Sequence, residues 1–376
     1  MKTKEKSEQI IEAAQNTKKP EPEKIARCLS SGSTLLNLAC TNTAGGAFPE
    51  GKYIFFVGDS ASGKTFLSMT CFAEAVRNPV FKNYRLIYDN VEDGCLLDLG
   101  ALFGKTVAKR IESPAQDEDG LPRNSSTVEE FYYNLDDALL QSKKDGKPIV
   151  YILDSMDGLS SASEEEKFQE SKEAFEKGKV ASGSYGDGKA KKNSEGLRKA
   201  IKGLRETGSI LIIICQTRDN IGVGFSAKTR SGGRALRFYS ALEIWLAVKN
   251  KIKKNVRGKD REIGIRAKVQ LKKNRYTGET HEIELDIYPS YGIDDIGSCI
   301  DFLLHEGWWI KNKQTIVAKE FGVELTREKL ISNIEIGGDS DLRKLQEVTE
   351  NCWNDIRKSA NLERKKKYND DNMDVD

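Results

Sequence analysis

The segment Gly58-Asp59-Ser60-Ala61-Ser62-Gly63-Lys64-Thr65 constrains this chain more than any other feature. It is a full G-x-x-x-x-G-K-[ST] pattern, which requires a strand before it and a helix after it. Both are legible, because Tyr53–Val57 is an unbroken apolar run and Phe66–Ala75 has helical spacing. The glycines let backbone N–H groups turn inward around phosphates, and the helix N-terminus adds positive potential. Residues Gly58 to Phe66 therefore read as an ATP site. Lys64 is placed to neutralise the β- and γ-phosphates, and the Thr65 hydroxyl to ligate Mg²⁺.

The surrounding pattern predicts an α/β fold, with a mostly parallel sheet flanked by helices around a P-loop NTPase core. Arg85–Tyr88, Ile149–Leu153 and Ser209–Cys215 are short and nearly all apolar, as strands buried on both faces must be. Ala241–Val248, Gly264–Leu271 and His281–Tyr288 read as a meander continuing the sheet. Residues 1–30 form an expected N-terminal arm, broken by Lys19-Pro20-Glu21-Pro22. Residues 31–290 are the expected ATPase core. Residues 291–362 read as a small, mostly helical C-terminal domain carrying Ile296–Glu306 and Leu342–Ile356. The tail, 363–376, is a charged segment expected to be disordered.

A net charge of only +2 excludes a uniformly basic protein, so any nucleic-acid contact must come from local basic segments. The seven cysteines contain no C-x-x-C pair, and the two histidines lie far from any cysteine cluster. Zinc sites and histidine triads are poor fits, and free thiols in a reducing compartment are the plain reading. The longest apolar run, Ile210–Cys215, falls far short of the roughly 18 residues of a membrane span. With a charged N-terminus and no apolar leader, the chain is expected in the cytoplasm, with no membrane partner.

Asp154 ends the apolar run Ile149–Leu153, where a carboxylate can help hold Mg²⁺ near the P-loop. Hydrolysis also needs a group that positions water. Asp89, Glu92 and Asp93 follow the second apolar run. Glu92 is the assignment for that role, with Asp89 the structural alternative. Gln216, at the tip of the Ser209–Cys215 run, is placed to touch the γ-phosphate and report its loss. Beyond it come Arg218, Lys228, Arg230, Arg234 and Arg237 among Gly222, Gly224, Gly232 and Gly233, with Phe225 and Phe238. Basic, flexible and aromatic residues together suit a single strand of nucleic acid. A second Gly/Lys stretch, Gly183–Lys192, contributes Lys189, Lys191 and Lys192 and runs into the helix Glu195–Thr207, which carries Arg198. Two such loops at one sheet edge predict a shared DNA channel. The charged helix Glu164–Lys177 reads as a surface insertion without chemistry.

These residues resemble the bacterial and phage RecA family. Ser31-Gly32-Ser33 with Leu35-Leu36 and Gly45-Gly46 is similar to the family's lead-in to its P-loop. Gln216-Thr217-Arg218 and Ser231–Tyr239 resemble the two ends of its second DNA-binding loop, and Lys272-Lys273-Asn274-Arg275 resembles its Lys-Asn-Lys. The likeness spans roughly residues 31–310. It implies an ATP- and Mg²⁺-dependent recombinase that forms head-to-tail filaments on single-stranded DNA and exchanges strands with homologous duplex. Single-strand-binding and loader proteins are the further partners that the resemblance implies. It also implies Lys64 and Thr65 at phosphate and Mg²⁺, Glu92 as catalytic carboxylate, Asp154 at the metal, Gln216 as switch and Asp98 at the adenine. Lys273 and Arg275 would act on the neighbouring subunit's ATP. The chain departs from the pattern in the longer stretch after Glu92, in a first loop without the family's Met, and in its N-terminal arm. Those departures resemble a phage or mobile-element recombinase of the UvsX kind. A ring ATPase of the helicase type, a KaiC-like signalling ATPase and a DNA-binding mediator without turnover are the competing readings.

Overall fold

The apolar runs become the centre of a ten-stranded sheet. The computed structural model describes residues 27–92, 97–177, 188–219, 228–230 and 233–364. Most of the N-terminal arm, residues 93–96, 178–187, 220–227 and 231–232, and the tail from residue 365 lie outside the described residues.

The strands are β1 (Tyr53–Gly58), β2 (Arg85–Asn90), β3 (Ile111–Glu112), β4 (Ile149–Asp154), β5 (Ile210–Asp219), β6 (Lys228–Arg230), β7 (Leu242–Val256), β8 (Lys259–Asn274), β9 (Glu282–Tyr288) and β10 (Gly292–Ile293). Their order is β10-β9-β8-β7-β1-β5-β4-β2-β3, with β6 paired to β5. From β7 to β3 every neighbour is parallel. From β7 to β10 the pairing is antiparallel, which gives the meander its place at one flank.

Side chains alternate across a strand, and β1 shows the result. Ile54 and Phe56 enter one buried cluster, while Tyr53, Phe55 and Val57 enter the other. Helices α1 (Thr34–Thr41) and α2 (Lys64–Arg77) cover the first face, with α8 (Asp295–His305) and α9 (Arg327–Ala360). Helices α4 (Val128–Asp145), α6 (Gly188–Thr207) and α7 (Gly233–Tyr239) cover the second. A short helix, α3 (Leu99–Phe103), follows β2, and α5 (Ala162–Glu176) follows β4. Helix α5 is closed by a Ser161/Glu164 capping box and buries none of its residues. Its Phe168 and Phe175 are mostly exposed.

Three differences from the sequence expectation have physical causes. The hairpin β7–β8 runs well past the apolar stretches that announce it, because backbone pairing continues where Val248–Val256 leave the core and become mostly exposed. Helix α6 begins at Gly188, seven residues before Glu195, since its first turns are polar and carry little apolar period. The segment after α8 is not helical throughout. Ile310–Asn312, Thr315–Ala318 and Val323–Leu325 form a three-stranded sheet, fastened by both Trp308 and Trp309 indoles donating to Glu320 (2.9 and 2.6 Å). Helix α9 kinks at Gly338 (φ 61°, ψ −148°), a conformation open to glycine. Among the described residues no helix is long and apolar enough to cross a membrane.

Candidate functional site

The parallel strands all point their C-terminal ends to one edge, and β1 delivers the P-loop there. Gly58 lies opposite Leu246 of β7 and Gln216 of β5. A Cβ at Gly58 would stand 2.2 Å from the Leu246 carbonyl oxygen, so only glycine fits where β1 ends between β7 and β5. Ala61 (φ 57°) and Gly63 (φ 93°) hold the turn in the left-handed region. Gly63 is the N-cap of α2 and brings no side-chain acceptor. The first N–H groups of α2 therefore keep the anion-binding character of a helix start. Ser60 and Ala61 are exposed, whereas Ser62 is buried and donates to the Asp59 carbonyl (2.8 Å).

Lys64 is 7% exposed, and its ammonium donates to the carbonyls of Gly58 (2.8 Å) and Asp59 (2.6 Å). Burial lowers its pKa, opposed by the nearby carboxylates of Asp154, Glu92, Asp59 and Asp157. Thr65 Oγ1 donates to Asp154 Oδ2 (2.7 Å), and the Tyr88 hydroxyl donates to the same oxygen (3.1 Å). Burial pushes the Asp154 carboxyl above its ordinary range, against those two hydrogen bonds. A hydroxyl and a single carboxylate side by side fit Mg²⁺, which takes one or two protein oxygens and completes its shell with water and phosphate. Among the described residues no cluster of three or more His, Cys, Asp or Glu offers an all-protein cage.

Beside the loop lies a cleft of about 460 Å³ lined by Ala61–Phe66, Leu97, Gly264, Ile265, Ile287 and Pro289. An apolar slot next to a phosphate loop suits a nucleobase. Phe66 packs on Phe103 (centroids 5.6 Å apart) at its wall. Asp98 is exposed and caps α3, accepting from Ala101 N (2.9 Å), one residue from Leu97 of the lining.

The three carboxylates at the end of β2 and just beyond it part company. Asp89 is fully buried and accepts from Ser125 N (2.9 Å), Ser125 Oγ (2.6 Å) and the Tyr151 hydroxyl (2.8 Å). Burial raises its pKa. Glu92 stands at the strand tips, where Ser155 Oγ and Gln216 Nε2 (3.3 Å) donate to its Oε1. Asp93 lies outside the described residues. The Gln216 backbone N–H donates to Asp157 (2.6 Å), and the Thr217 hydroxyl donates to the Asp59 carboxylate. The peptide bond between Asp154 and Ser155 is cis. Tyr88, Ser155, Asp157 and Thr217 were not legible as site residues. Their only signal is adjacency to the strand-end residues they support.

The structure describes the flanks of the two basic loops. Gly233, at the start of α7, has φ 80°, and a Cβ there would lie 3.0 Å from Ala190 Cβ on α6. The exit of one loop thus rests on the exit of the other. Arg198 hydrogen-bonds Tyr239, which raises its pKa. Lys189 pairs with Glu164 (3.1 Å) and Lys192 with Glu129 (3.6 Å). Lys191 and Arg234 are exposed. Lys228 and Arg230 sit on β6, paired with Asp219 and Thr217, and Arg218 is on β5. Gly232 lies outside the described residues.

Lys273 and Arg275 are not brought to the P-loop. Asn274 is opposite Leu242, itself opposite Ile54 at the start of β1, whereas the P-loop leaves from Gly58. The basic tip is thus at the opposite sheet edge. There Lys273 donates to the carbonyls of Arg237 and Phe238 at the end of α7 (3.0 Å to Phe238). Arg275 lies 5.7 Å from the Phe238 ring centroid.

A family model for the RecA N-terminal domain matches residues 172–294. The chain is 28% identical over 331 residues to the RecA protein of Cytophaga hutchinsonii, covering 85% of this chain and 81% of that one. It is 29% identical over 311 residues to RecA of Chlamydia trachomatis (81% and 78% covered). Against RecA of Clostridioides difficile it is 24% identical over 307 residues (79% and 77% covered). These relatives are bacterial and lend no support to a phage origin.

Proposed function

We infer that this chain, a member of the RecA-like recombinase family, is a nucleotide-binding, DNA-dependent ATPase that assembles with itself on single-stranded DNA and couples ATP hydrolysis to strand exchange with homologous duplex. The observation that carries this reading is the continuous polar chain Thr65–Asp154 and Ser155–Glu92–Gln216 at the tips of β4 and β5. It joins the phosphate loop to the strand that enters the 220–232 segment.

In this reading Lys64 and the first N–H groups of α2 hold the phosphates of ATP, and Thr65 with Asp154 would hold Mg²⁺. The ion, when bound, supplies positive charge against the phosphate oxygens. Glu92 orients the attacking water and takes its proton. Gln216 Nε2, already on Glu92, senses the same region and passes its state along β5. The basic residues Arg218, Lys228, Arg230 and Arg234 and those of the 183–192 stretch meet the DNA backbone. Leu97, Ile265, Ile287 and Pro289 enclose the base, with Asp98 at the rim. The test is ATP hydrolysis measured with and without single-stranded DNA, paired with electron microscopy in a slowly hydrolysed ATP analogue. Stimulation by DNA together with helical filaments is expected. Unstimulated activity, or closed rings, would favour a signalling ATPase or a helicase.

Lys273 and Arg275 are assigned to the neighbour's ATP, and their position at the opposite sheet edge from Gly58 supports this. A contact between two different surfaces propagates as a helix unless its rotation closes. Mixing Lys64→Ala subunits with Lys273→Ala/Arg275→Ala subunits, each inactive alone, is expected to recover part of the ATPase activity at hybrid contacts. No recovery at any ratio, with co-assembly demonstrated, would remove the shared-site assignment.

A further inference from the structure

We propose that Thr217 is a positioning residue that couples the phosphate loop to the 220–232 segment through Asp59, as a second link beside the Glu92–Gln216 contact. The proposal rests on the reading that this segment grips single-stranded DNA. The backbone ladder between β1 and β5 ends at the pair Gly58 and Gln216. The next residues on the two strands are Asp59 and Thr217, and the Thr217 hydroxyl donates to the Asp59 carboxylate. A side-chain bond thus stands where the next rung of the ladder would be.

Asp59 is a junction rather than a passive loop residue. Its carbonyl oxygen accepts from the Lys64 ammonium (2.6 Å) and from Ser62 Oγ (2.8 Å), while its carboxylate accepts from Thr217. Any turn of the Asp59 peptide that accompanies movement of Lys64 is therefore felt at Thr217. On the other side, Thr217 is paired in register with Arg230 of β6. The three paired positions of β5 and β6 flank the segment 220–227 in sequence, so displacement at Thr217 reaches both strands that lead to it. The chemistry supplies the difference between states that coupling requires. A carboxylate in a loop built for phosphates carries a like charge, and a hydroxyl donor to an ionised acceptor is a strong, charge-assisted bond. Thr217 holds that carboxylate turned toward β5.

The test uses the full-length protein with Thr217→Val, which keeps shape and removes the donor, and Thr217→Ser, which keeps the donor. Hydrolysis of ATP without DNA is expected to stay within about twofold in both, while stimulation by single-stranded DNA falls about tenfold in Thr217→Val and is retained in Thr217→Ser, a coupling of ordinary size. The fall is expected in kcat, with KM for ATP unchanged. Asp59→Asn, which keeps an acceptor oxygen but removes the charge, should lower the ratio of stimulated to unstimulated rate, and Asp59→Ala, which removes the acceptor as well, should lower it further; an unchanged ratio in Asp59→Ala overturns the proposal. Full stimulation in Thr217→Val, or a Thr217→Ser variant as impaired as the valine, overturns the proposal. Absence of DNA stimulation in the unsubstituted protein overturns the underlying reading instead.

Discussion

Lys64→Ala is expected to abolish ATP hydrolysis and, with it, nucleotide-dependent binding to single-stranded DNA. Lys64 is the cation set among Asp154, Glu92, Asp59 and Asp157. Deleting it leaves the negative charge of these four nearby carboxylates unopposed by Lys64, so the loss combines a missing attraction with uncompensated repulsion. Removing one preorganised donor from such a site typically lowers kcat by about 10²–10³-fold, and the surrounding acids push the effect to the upper end. The lost bonds are to two loop carbonyls, Gly58 O and Asp59 O, and the buried strands beneath are untouched. Fluorescence anisotropy of a labelled oligonucleotide with and without ATP checks this. ATP-stimulated binding that persists in the variant contradicts the link between phosphate loop and DNA.

Glu92→Gln should separate binding from turnover. Glutamine keeps the size and an oxygen that accepts from Ser155 and Gln216, so the strand-tip network survives and ATP affinity changes little. It cannot accept a proton, and loss of a general base costs about 10²–10⁴-fold in rate. Single-turnover hydrolysis beside equilibrium ATP binding measures the two effects. Normal turnover would move the role to Asp93, because the Asp89 carboxylate is already engaged by three donors and fully buried.

The sheet was legible because strand segments covered on both faces must be apolar, and Tyr53–Val57, Leu86–Tyr88, Ile149–Leu153 and Ile210–Cys215 are buried, unbroken apolar runs within β1, β2, β4 and β5. The outer half of the β7–β8 hairpin was not, since lysines such as Lys251 and Lys254 meet solvent there and leave no apolar trace of the pairing. Within the site, Lys64, Thr65 and Asp154 follow from a motif and a strand end. Ser155, Asp157 and Thr217 depend on which strand tips become neighbours, and that order (β1 between β7 and β5, β5 beside β4) is a long-range outcome. Asp89 and Glu92 sit three residues apart in one acidic stretch, the first on β2 and the second just past its end. Only the fold separates them, by turning Asp89 toward Ser125 and Tyr151 beneath the sheet.

Placing the phosphate loop and the Lys272–Arg275 tip at opposite sheet edges makes the number of complete sites depend on how a run of subunits ends. On the proposed shared-site contact, an open run of n subunits holds n − 1 complete sites, and a closed ring holds n. Activity per subunit then climbs with run length in the open case and is flat in the closed one. The two termini of an open run also differ chemically. One offers a vacant basic tip and the other an incomplete phosphate loop, so addition at the two ends proceeds at unequal rates, and a trace of Lys273→Ala/Arg275→Ala subunits would stall one end while leaving the other free to grow.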